Sequence, residues 1–99
     1  MGNFGANNKN SVTLTLSGKL DVKSIEKFEA ELMSAFSESK NLTLDFKDVT
    51  YVSSSGLRVL LTGDKTAKEK GGKMTITNAS SFVMQIFKET GLSSILNFG

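Results

Sequence analysis

The chain predicts an α/β fold: a single domain whose mixed β-sheet of about four strands carries helices packed mainly on one face. Segments whose apolar residues recur every second position take turns along the chain with segments whose apolar residues recur every third or fourth. The resulting order, strand, helix, strand, helix, strand, helix, is the one that lays helices against a sheet. The strand segments also alternate apolar with polar residues instead of running apolar throughout, which predicts one covered face and one largely open face.

The first ten residues, MGNFGANNKN, show neither period, and they read as a flexible start or one added to the chain, with Phe4 able to join a short edge strand. Residues 11–99 form the predicted domain. In SVTLTLSGKL, Val12, Leu14 and Leu16 alternate with Thr13 and Thr15 as in a half-buried strand, and Gly18 permits a turn after it. Asp21 is placed to cap a helix in which Val22, Ile25, Phe28, Leu32 and Phe36 share one face and Glu26, Lys27, Glu29 and Glu31 fall mainly on the other. NLTLDF, with Leu42, Leu44 and Phe46, predicts the second strand. A helix is predicted from Leu57 to about Lys70, with Leu57, Leu60, Leu61 and Ala67 apolar and Gly71–Gly72 ending it. KMTITN supplies the third strand. Ser80 or Ser81 caps a last helix that buries Phe82, Val83, Ile86 and Phe87 and stops at Gly91, after which SSILNF adds a short strand or turn. Phe28, Phe36, Phe46, Phe82 and Phe87 are the expected aromatic core.

Composition removes whole classes of chemistry. The chain has no cysteine and no histidine, so thiolate nucleophiles, disulfides, an imidazole base and Cys/His zinc or haem sites are excluded, and with them a Ser-His-Asp hydrolase. No cofactor, metal or catalytic residue is expected. Asp45 and Asp48 are two carboxylates without further oxygen ligands, a pattern that more often faces water than holds a cation. The net charge of +2 is spread along the chain, and direct nucleic-acid binding is not indicated, the KTAKEKGGK run reading as a solvated helix end. No apolar run approaches membrane-spanning length and no leader-like block opens the chain, so a cytoplasmic protein without membrane insertion is expected, as a monomer or weak dimer.

The informative stretch is DVTYVSSSGLRVLL, residues 48–61, where three serines and a glycine lead from a strand into a helix. Strand-to-helix turns are favoured sites in α/β sheets. The helix N-terminus carries free amides and a partial positive charge that stabilise an anion. One serine of the triplet is needed as a helix cap. A nucleophilic serine is disfavoured, because SSSGL lacks the upstream glycine of G-x-S-x-G and the chain has no base. Phosphorylation by another protein fits, since it brings a charge of about −1.5 to −2 to this position without local catalytic groups.

The pieces LSGKLD, LTLDFKDVTYVSSSGLRVLL, GGKMTITN and SSFVMQIFKETGLSSIL, in this order and spacing from about Ser11 to Phe98, resemble a STAS domain of the bacterial anti-sigma factor antagonists, or anti-anti-sigma factors. The resemblance implies a phosphoprotein of transcription regulation that is a binding module and not an enzyme. Its partner would be an anti-sigma factor with serine kinase activity of the GHKL type, which phosphorylates a D-S-S-G or D-S-A-G turn. Laid on this chain, the resemblance makes Ser54 the phosphoacceptor, with Ser53 and Ser55 as alternatives. The partner surface it implies comprises Asp21, Ser53, Ser54, Ser55, Gly56, Leu57 and Arg58. Ser53 stands where the family often has aspartate. The second reading is a STAS adaptor or structural subunit of a transporter-linked, stressosome-like or lipid-trafficking complex without a phospho-switch.

Overall fold

A computed structural model describes residues 11–99; the expectations for residues 1–10, including an edge strand at Phe4, lie outside them. The elements are β1 (Val12–Leu20), α1 (Ile25–Phe36), β2 (Asn41–Val52), α2 (Ser54–Glu69), β3 (Lys73–Thr77), α3 (Ser81–Glu89), a 3-10 turn at Leu92–Ser94, and β4 (Asn97–Phe98). The strands form one four-stranded sheet in the order β1-β2-β3-β4. Among the described residues every pairing is parallel, where the sequence reading had a mixed sheet. A helix stands between each strand and the next, and such a crossover returns the chain to the end where the preceding strand began.

One core holds the layers together. Leu42, Leu44 and Phe46 of β2 and Met74 and Ile76 of β3 meet Phe28, Leu32 and Phe36 of α1, Val59, Leu60 and Ala67 of α2, and Val83 and Phe87 of α3. The alternate strand residues form the other face, in rows fixed by register: Thr13, Thr43, Thr75 and Asn97 in one, Thr15, Asp45 and Thr77 in the next. The expectation of helices on one face and a polar open face therefore holds.

Several local expectations are corrected. β2 runs to Val52 and not only to Phe46. Its register against β1 slips between Thr15 and Ser17 and again between Gly18 and Lys19, each slip adding one residue to β2. The buried side chains consequently change from a spacing of two at Leu42, Leu44 and Phe46 to a spacing of three at Phe46, Val49 and Val52. Gly18 lies inside β1 at the second irregularity, with φ 74°, instead of in a turn that ends the strand.

Asp21 does not cap α1. Its Oδ1 accepts from the Lys23 backbone N–H at 3.0 Å, making a local turn, and the helix starts at Ile25 behind Ser24. Val22, expected on the apolar face, is outside the helix and 74% exposed. Ser80 caps α3, its hydroxyl accepting from the Val83 N–H at 3.2 Å. Phe82 is not core but 60% exposed, Leu61 is also exposed, and Ile86 is half-buried. Gly71 and Gly72 end α2 as expected, with the Gly72 N–H donating to the Ala67 carbonyl at 2.8 Å and that of Gly71 to Lys68 at 3.0 Å. Leu92 is buried beside α3, and the C-terminal segment provides both the turn and the short strand.

Candidate functional site

The serine triplet occupies the junction of β2 and α2, and each of its members is held differently. Ser53 is the N-cap, with extended backbone (φ −83°, ψ 175°). Its hydroxyl accepts from the Gly56 N–H at 3.4 Å and donates to the Leu20 carbonyl at 3.1 Å. The Ser53 backbone N–H donates to the same carbonyl at 2.9 Å. Leu20 thus ties the turn after β1 to the turn after β2, bringing Asp21, the next residue in the chain, beside the triplet.

Gly56 is buried in this junction because a side chain has no room there. A Cβ would stand 2.7 Å from the Leu20 carbonyl oxygen and 2.9 Å from Val52 Cγ1. The absence of that carbon lets the first turn of α2 settle against the end of β1.

Ser54 is the first residue of α2 and is exposed, and its hydroxyl makes no hydrogen bond with the described residues. Ser55 and Leu57 are half-buried, and Arg58, one turn after Ser54, is exposed. The first turn of α2 contains no acidic residue, so no built-in carboxylate competes for its amides and partial positive charge. A phosphate on the Ser54 oxygen would stand at that N-terminus, whereas a group on the Ser53 oxygen would have to break the cap.

The two other carboxylates considered from sequence, Asp45 and Asp48, face different surroundings. Among the described residues no cluster of three acidic or His/Cys side chains exists. Asp48 is exposed, and Asp45 Oδ1 accepts from the Lys47 backbone N–H at 3.0 Å and the Asn78 amide at 3.1 Å. These two donors hold the Asp45 carboxyl below its ordinary pKa, the backbone one contributing most. No helix among the described residues is long and apolar enough to cross a membrane.

Sequence reasoning missed a further feature of this region. The Tyr51 and Phe82 rings lie 6.4 Å apart and both are exposed, forming one side of a groove that Ser54 also lines. Phe82 is the second residue of α3, one position away from the buried Val83–Phe87 stripe, and that offset was the readable signal.

Residues 5–97 match the family model described as Mlab, STAS domain. This chain belongs to the STAS family. The STAS chain is 30% identical over 90 residues to the anti-sigma-B factor antagonist of Bacillus subtilis (strain 168), spanning 91% of this chain and 83% of that protein. The anti-sigma factor antagonist SpoIIAA resembles the STAS fold seen here in two solved forms. In the unphosphorylated form the TM-score is 0.76 at 23% identity, over 91% of this chain and 80% of that one. In the phosphorylated form, from Bacillus, it is 0.68 at 21%, over 91% and 83%. The STAS domain of a SulP transporter from Vibrio cholerae gives 0.69 at 21% identity, over 92% and 74%. At these identities the solved structures speak to the fold alone.

Proposed function

We propose that this STAS domain is an anti-sigma factor antagonist that binds an anti-sigma factor serine kinase of the GHKL type and is switched off by phosphorylation at Ser54. The observation that carries the reading is the division of labour in the triplet: Ser53 is engaged on both sides of its oxygen, Ser55 is half-buried, and Ser54 alone is exposed. The 30% identity to a protein named as an anti-sigma-B factor antagonist supports it. The partner surface in this reading comprises Asp21, Ser53, Ser54, Ser55, Leu57 and Arg58, on two turns joined at Leu20, with Gly56 buried beneath it. Cytoplasmic action follows from this role. The domain serves as a substrate and binding module, and the lack of histidine and cysteine agrees with the absence of a catalytic role.

The switch is electrostatic. Phosphorylation adds a charge of about −1.5 to −2 to a contact matched without it, and burying an unpaired phosphate against the partner is costly. Each loss of about 1.4 kcal/mol weakens binding tenfold, so release requires no change of fold. Incubating the domain with its kinase and ATP and mapping the product by mass spectrometry tests the site. Partner affinity for wild type, Ser54→Ala and Ser54→Asp tests the switch, with only Ser54→Asp expected to bind at least tenfold more weakly. Equal affinities, or no phosphoserine at position 54, would refute the reading.

A second reading is supported by the Mlab description of the matching family. In it the same surface serves an adaptor of a transporter-linked, stressosome-like or lipid-trafficking complex, and no serine of the triplet is modified.

A further inference from the structure

The groove beside Ser54 is walled by Tyr51 at the end of β2, Leu57 on α2 and Phe82 and Ile86 on α3, with Glu89 also lining it and a volume of about 470 Å³. Three of the six large hydrophobic side chains exposed among the described residues, Val22 after β1, Tyr51 at the end of β2 and Phe82 at the start of α3, lie around the strand ends where the triplet stands. Tyr51 is 41% and Phe82 60% exposed, and their tilted rings contact one another instead of folding into the core. Burying such aromatic surface is favourable, and a pocket of this kind is typical of the few residues that dominate an interface.

We propose that this groove is the anchor by which the kinase partner holds the domain while Ser54 enters its active site. The inference rests on the phospho-switch reading above and names how the partner is gripped. Its occupant is a segment of the kinase that inserts an aliphatic or aromatic side chain between Tyr51, Phe82 and Ile86 and sets a Lys or Arg against Glu89. Ser54 itself lines the groove, so a protein that brings the γ-phosphate of ATP to the Ser54 oxygen covers the groove as it does so. The Glu89 carboxylate is met among the described residues by the Gln85 amide at 3.2 Å and by no cation, which leaves it to pair with a basic group from outside. In the step itself the Ser54 oxygen forms the new bond to the γ-phosphorus, the bond to the β,γ-bridging oxygen breaks, ADP leaves, and the hydroxyl proton passes to a base of the kinase.

The test uses the full chain with each purified GHKL-type anti-sigma kinase of the source genome in turn, and ATP, measuring phosphate incorporated at position 54. Phe82→Ala is expected to raise the KM for the domain about tenfold with kcat near the wild-type value, as loss of a docking contact does. Phe82→Tyr should restore the wild-type KM, and Glu89→Lys should raise it. Ile95→Ala, which removes an exposed apolar side chain outside this groove, should behave as wild type. Phe82 is mostly exposed, and matching thermal melts would confirm that the variants fold. Phosphorylation of Phe82→Ala and Glu89→Lys at the wild-type KM would overturn the groove as an anchor and leave Ser54 as acceptor. Failure of every kinase to modify position 54 of the wild-type chain would overturn both.

Discussion

Ser53→Ala tests whether the first serine of the triplet holds the junction together. The substitution removes one oxygen that serves two bonds. Loss of an N-cap costs about 0.5–2 kcal/mol, and the 3.4 Å separation from the Gly56 nitrogen places this cap in the lower half of that range. The hydrogen bond to the Leu20 carbonyl, at 3.1 Å, contributes about 0.5–1 kcal/mol more. Leu20 keeps the Ser53 backbone N–H, so no buried acceptor is orphaned. The sum is about 1.5 kcal/mol, which for a domain of this size lowers Tm by about 6–10 °C. Ser54→Ala, on an exposed hydroxyl without a partner among the described residues, should stay within about 0.5 kcal/mol of wild type. Ser53→Asp should fall between wild type and Ser53→Ala. It still accepts from Gly56 and adds a favourable charge to the helix N-terminus, but a carboxylate cannot donate to the Leu20 carbonyl it faces. Thermal and urea unfolding followed by circular dichroism measure all three. Equal stabilities for the two alanine variants would refute the assignment of Ser53 as the structural serine and Ser54 as the free one.

Two further outcomes follow from other side chains. Asp64 is 4% exposed, and its Oδ1 is buried without a hydrogen-bond partner among the described residues while Oδ2 pairs with Lys68 at 2.9 Å. Asp64→Ala removes an orphaned acceptor costing about 1–3 kcal/mol and a weak helix former, against an i,i+4 ion pair worth about 0.3–0.5, so urea titration should show a gain of about 1 kcal/mol or more. Asp45 has a lowered pKa, so the unfolded chain takes up its proton before the folded one as pH falls. Its contribution is complete above the ordinary carboxylate pKa of about 3.9 and fades as pH drops through the lower folded value. Urea unfolding across that range should show a shallower acid loss for Asp45→Asn than for wild type, and parallel curves would contradict the bonding described.

The parts of the fold legible in the sequence are those in which local spacing and final burial agree. Val12, Leu14 and Leu16, Leu42, Leu44 and Phe46, and Met74 and Ile76 keep a period of two, and the three helices keep theirs. The second half of β2 escaped because its irregular register changes the apolar spacing to three, which reads as loop. The start of α1 was misjudged because Asp21 spends its carboxylate on Lys23, two residues on, before any helix begins. In the site, residue types announced a cap and an anion position, but not which serine does which. That depends on the Leu20 carbonyl, thirty-three positions before Ser53 and invisible to any local pattern. Phe82 was assigned to the core for a related reason: a one-position rotation about α3 decides between Phe87 and Tyr51 as its neighbour.

The described strands lie side by side in the order in which they are made. In sheets where that order reverses, successive helices depart to opposite faces and a crevice opens between them, into which nucleotides and other small molecules sink. Among the described strands the order never turns back, so no such crevice divides their ends. Such a rim offers breadth for another surface to lie against, broken by the groove between Tyr51 and Phe82.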